Sequence, residues 1–107
     1  MSARQDEARL DASWSRSERM IGRWVAGEFV IVPLRDQAAD IDSIYNLNGV
    51  AAFIWERLDG RTSGQALVRA LVQRFEVEER KAAADYVAFL EQLESIGAVI
   101  LATQTGA

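Results

Sequence analysis

The sequence predicts an α+β domain of winged-helix-like form, a small three-stranded antiparallel sheet followed by three helices. Three observations carry that expectation. EFVIVPL, Glu28 to Leu34, is rich in β-branched and aromatic residues and reads as a strand. From Asn48 onward, apolar residues recur with the helical period in three successive segments. Glycine-marked or capping residues separate those segments, at Asp59-Gly60, Thr62-Ser63 and Gly97.

Taken in order, residues 1–20 are expected to form a flexible arm. Their acidic and basic residues balance, and only Leu10 and Trp14 offer apolar bulk against the entropy of ordering. Residues 21–102 are expected to form the domain and residues 103–107 a frayed tail. Arg23–Val25 is a short first strand and Gly27 a turn. Glu28–Leu34 is the second strand, with Pro33 placed near its end because proline donates no ladder hydrogen bond. Both faces of this strand are apolar, which calls for cover by more than one element. RDQAADID, residues 35–42, is a polar connection, and Ser43–Leu47 is the third strand. Asn48 is a fitting N-cap for a helix whose stripe is Val50, Ala51, Ile54, Trp55 and Leu58, closed by Gly60 at C′. Thr62 and Gln65 have the spacing of a capping box for a second helix over Ser63–Phe75. The third helix runs over Glu78–Ile96, with Ala82, Ala83, Tyr86, Phe89, Leu90, Leu93 and Ile96 on its apolar face. Ala98–Leu101 is a last strand or a packed tail.

Composition narrows the chemistry. The chain has 107 residues, half of them hydrophobic, enough for one modest core. It has no cysteine and no histidine, which removes thiolate chemistry, the commonest general base and the commonest metal ligands. No loop has the Asp-rich, Gly-centred spacing of a calcium or magnesium site, and no glycine-rich loop is spaced to hold phosphates. An enzyme is not expected, nor a cofactor or a metal. No apolar run reaches the about 20 residues that span a bilayer, so no membrane partner is expected and the cytoplasm is the expected location. The net charge of −4 disfavours nucleic acid as a partner. The runner-up reading is a winged-helix DNA-binding regulator, resting on the second and third helices as a helix-turn-helix and on Arg57, Arg61, Arg69 and Arg74 as a basic patch. Residues 76–94 count against it, with six acidic residues and only Arg80 and Lys81 basic. A third reading is a structural or dimerising module, and the chain is expected to be a monomer or a homodimer.

A sheet of three strands has an edge with unpaired N–H and C=O groups. If Ser43–Leu47 is that edge and the third helix lies beside it, the gap is a groove for an extended peptide.

LNGVAAFIWERLDG resembles the leucine-asparagine, isoleucine-tryptophan, aspartate-glycine signature of PqqD-like proteins. The residues that carry it are Leu47, Asn48, Ala51, Ala52, Ile54, Trp55, Leu58, Asp59 and Gly60. LVRALVQRFEVE resembles the family's second helix, and DYVAFLEQLESIG its third, with Asp85, Phe89, Leu90, Leu93 and Gly97 in register. The resemblance implies a recognition element for ribosomally made peptides. Such a domain binds the leader segment of a precursor by strand addition and presents the peptide to a modifying enzyme, often a radical S-adenosylmethionine enzyme. The peptide-binding residues it implies are Ser43, Ile44, Tyr45, Asn46 and Leu47 on the strand, and Ala82, Asp85, Tyr86 and Phe89 on the helix. The chain's acidity favours a leader that is not itself strongly acidic.

Overall fold

The computed structural model describes residues 9–33 and 45–102. Residues 9–11 are helical, and nine elements follow: β1 (Ser13–Arg16), β2 (Met20–Val25), β3 (Glu28–Pro33), β4 (Tyr45–Leu47), α1 (Gly49–Glu56), β5 (Asp59–Ser63), α2 (Gly64–Phe75), α3 (Glu79–Ser95) and β6 (Val99–Leu101). The α+β class and the antiparallel sheet β2-β3-β4 match the expectation, and Pro33 is the last described residue of β3. A second antiparallel sheet, β5-β1-β6, was not anticipated.

In β3, Phe29, Ile31 and Pro33 point into the core while Val30 and Val32 are half-buried. The turn joining β2 to β3 has Ala26 and Gly27 both at positive φ (53° and 84°), as the tightest hairpins need. Beyond this turn the backbone of β2 comes close to α1 at Gly22. A Cβ on Gly22 would lie 2.5 Å from Trp55 Nε1 and 2.7 Å from Phe29 Cζ. Gly22→Ala is therefore expected to cost about 1–3 kcal/mol in a denaturant titration, because a buried ring must shift to admit the methyl group.

The expected loose arm does not describe residues 9–20. Trp14 is buried, and β1 is the central strand of the second sheet. Backbone bonds fasten this segment on several sides: Gly64 N–H donates to Ala12 C=O, Ala102 N–H to Ser13 C=O, and Ser17 N–H to Ala98 C=O. Arg16 Nη1 donates to the carbonyls of Trp55 and Glu56 at 3.0 and 2.8 Å. A cation there suits the negative end of the helix dipole, adding a donor to Trp55 C=O, which also accepts from Leu58 N–H at 3.2 Å.

Two boundary expectations are corrected by side-chain hydrogen bonds. Gly60 does adopt positive φ, but inside β5, and α1 ends at Glu56 with Arg57 as its C-cap. The turn after α1 is organised by Asp59, whose Oδ1 accepts from the N–H groups of Arg61 and Thr62. Those N–H groups hold the Asp59 carboxyl below its usual range. Thr62 donates its hydroxyl to Asp59, so the cap of α2 falls to Ser63, whose Oγ accepts from Ala66 N–H at 3.1 Å. Gln65 reaches Asp11 instead of closing a capping box. Asn48 caps α1 as expected, Oδ1 accepting from Ala51 N–H at 2.8 Å.

The core gathers Ile31, Ile54, Leu58, Leu67, Leu71, Tyr86, Leu90 and Leu93 from one strand, the three helices and the turn after α1. Ala98 and Val99 close it at the second sheet.

Candidate functional site: the groove between β4 and α3

β4 pairs with β3 on one side only, in the register Phe29–Leu47, Val30–Asn46 and Ile31–Tyr45. Among the described residues nothing pairs with its other side, so part of its backbone hydrogen-bonding capacity faces outward. α3 runs beside that edge, and the two enclose an open groove of about 530 Å³. Asn46, Leu47, Asn48, Val50, Ala51 and Ile54 line one wall; Val77, Lys81, Asp85, Ala88, Phe89 and Gln92 line the other.

Of the nine residues singled out in the sequence, the groove takes Asn46, Leu47, Asp85 and Phe89. Tyr45 is in β4, half-buried. Ser43 and Ile44 lie outside the described residues. Ala82 and Tyr86 do not line the groove: each is 1 % exposed and packed in the core. The cause is a rotation of the helix relative to expectation. The apolar stripe 82/86/90/93 is what α3 buries, so the groove receives the neighbouring stripe 81/85/88/89/92. That second stripe keeps the helical spacing of i, i+4, i+7, i+8 and i+11. It mixes a lysine, an aspartate, an alanine, a phenylalanine and a glutamine, so a search for apolar periodicity passes over it.

Phe89 and Ala88 give this wall an apolar patch, while Lys81 and Asp85 form an ion pair on it, Nζ–Oδ2 3.0 Å. Both partners are exposed, and such i, i+4 pairs contribute a few tenths of a kcal/mol. Either partner can therefore turn to a guest at small cost. On the opposite wall, Asn46 Nδ2 donates to Glu28 Oε1 at 2.9 Å, tying β4 to β3 across the outer face. The arrangement can accept an extended backbone along β4 and alternate side chains against α3. Among the described residues, no group of three or more histidine, cysteine or acidic side chains is placed to hold a metal ion. No described helix is long and apolar enough to cross a membrane.

Burial pushes the Tyr86 phenol up to about 12 from 10.0, with the positive charge of Arg9 acting weakly the other way. Its neutral form is favoured in the folded state, so its contribution to stability is complete below pH 10 and lost as pH rises toward about 12. Alkaline unfolding of the native chain is expected to steepen in that window, and Tyr86→Phe is expected to remove the steepening.

Fold and groove define a class: a small winged-helix-like domain with one strand edge open beside its last helix. The model of the coenzyme PQQ synthesis protein D family, PqqD, matches residues 28–99, more than half of the chain, and the chain belongs to that family. Two solved structures share the fold. One is a lasso peptide synthetase B1 complexed with the leader peptide (22 % identity, TM-score 0.69, covering 83 % of this chain and 99 % of that one). The other is TbiB1 in complex with the TbiA(β) leader peptide (20 % identity, TM-score 0.65, covering 86 % and 99 %). No curated protein matches the sequence.

Proposed function

We propose that this domain binds the leader segment of a ribosomally made precursor peptide by strand addition to β4, in the groove against α3, and presents the peptide to a separate modifying enzyme. The observation that carries this reading is the open edge of β4 facing the 81/85/88/89/92 stripe of α3. The family membership and the leader-bound state of the two structural neighbours support it. In this reading the domain contributes no catalytic group. It works by geometry: a docked leader raises the effective concentration of the rest of the peptide near the enzyme that alters it. The modifying enzyme, in PqqD-like systems often a radical S-adenosylmethionine enzyme, supplies the chemistry. The work is placed in the cytoplasm, where ribosomal peptides first appear.

The reading is tested by calorimetric titration with a candidate precursor peptide from a neighbouring short open reading frame, and with duplex DNA, at low and at physiological salt. Peptide binding that weakens only mildly with salt is expected, since main-chain hydrogen bonds and apolar contacts hold a strand. Binding to DNA with a steep loss on adding salt, and none to the peptide, would replace this function with the regulator reading.

A further inference from the structure

A cluster that strand addition does not use is carried by residues that neighbour the groove's lining along the chain. Val50 lines the groove, and Phe53 lies one turn further along α1. Val77 lines it from the other side, two residues after Phe75. The Phe53 and Phe75 rings meet edge to face, centroids 5.4 Å apart at 81°. A guanidinium sits over each: Arg57 Cζ is 3.6 Å from the Phe53 centroid and Arg74 Cζ 4.9 Å from that of Phe75. The order on the surface is thus cation, ring, ring, cation.

We infer that this cluster is a second contact for the docked peptide, taking acidic side chains from the stretch that leaves the groove past the Leu47–Asn48 end of β4. The inference rests on the leader-binding reading and names a charge preference within it. Neither guanidinium forms an ion pair among the described residues. The neighbouring Glu56 and Glu76 do not reach them, and the ion pairs found involve Arg9 and Lys81. Arg57 spends one nitrogen on Phe53 C=O at 3.3 Å, which leaves most of its donors available. The rings hold both heads in place, so less side-chain entropy is lost when a carboxylate binds. A nucleic acid fits less well, because a ring face already covered by a guanidinium is not free to stack a base.

The chain's net charge argues for a guest that is not strongly acidic. At physiological salt, however, fields are screened within about 8 Å, so the local pair governs this end of the groove.

The probe is hexaglutamate, with hexaglutamine and a single-stranded DNA oligonucleotide as comparisons, followed by NMR on isotope-labelled full-length chain. Hexaglutamate is expected to shift the amides of Phe53, Arg57, Arg74 and Phe75 and the side-chain Nε–H signals of the two arginines. Arg57→Gln and Arg74→Gln, both at exposed positions, are each expected to weaken that response about two- to fivefold at physiological salt. Uniform shifts over Arg19, Arg23, Arg61, Arg69 and Arg80 as well, or none, overturn the inference. So does a stronger response to the oligonucleotide at these same residues. The strand edge is read separately, from Tyr45–Leu47 with the precursor peptide. Peptide binding there that is indifferent to Arg57→Gln and Arg74→Gln removes the acidic contact and leaves the proposed function standing. Loss of peptide binding at β4 with the hexaglutamate response intact removes the proposed function.

Discussion

Trp14→Ala is expected to destabilise the domain by about 3–5 kcal/mol, the usual cost of removing a buried tryptophan ring. Small domains have only about 5–15 kcal/mol of stability in total, so a large part of the molecule is expected to be unfolded at modest temperature. At roughly 4–8 °C per kcal/mol, the melting temperature falls by more than about 10 °C. The reason is topological. Trp14 is 7 % exposed on the central strand of the sheet β5-β1-β6, and its removal opens a void where the first and last strands meet. Trp14→Phe separates packing from hydrogen bonding. The indole Nε1 is buried and makes no hydrogen bond among the described residues, so phenylalanine loses no polar contact and is expected to cost far less than alanine. A loose N-terminal arm predicts no change for either substitution, and thermal denaturation followed by circular dichroism decides.

Ala88→Phe is expected to weaken precursor-peptide binding about ten- to a hundredfold, the equivalent of about 1–3 kcal/mol of steric conflict. Ala88 is exposed and lines the groove, so the added ring occupies space the guest needs. Stability changes little, by about 0.5 kcal/mol from helix propensity alone. Tyr86→Phe is the matched control. Its hydroxyl lies in the core, so peptide affinity is expected to stay unchanged although the residue is two positions away on the same helix. Equal losses for both substitutions would place the guest on the wrong face of α3.

The contrast between these two residues shows what the sequence could and could not convey. β3 and the α1 cap were legible because their signals are local: a run of β-branched residues, and an asparagine at a helix start. The outer edge of β4 was legible only as a consequence of counting strands. β1 and β5 were not legible at all. SWSR has one large apolar residue, and DGRTS begins with two residues that strands disfavour. They are strands because each satisfies the other's backbone, with β6 on the far side, a long-range condition that no local window contains. The same limit explains the helix wall. An apolar stripe on α3 was easy to find, but a helix facing a core and a groove has two stripes, and the core takes the more apolar one. Asp85 and Phe89 were placed in the groove through family resemblance, while Lys81, Ala88 and Gln92 follow from them by helical spacing once the buried stripe is known.

Strand addition to β4 is tested most directly by amide NMR on isotope-labelled chain titrated with the precursor peptide. Shifts are expected to concentrate on Tyr45, Asn46 and Leu47 and on Asp85–Gln92, with slowed hydrogen exchange at the β4 amides that face outward and cross-strand contacts from the guest backbone. A peptide that binds while leaving those β4 amides unshifted and unprotected would contradict strand addition.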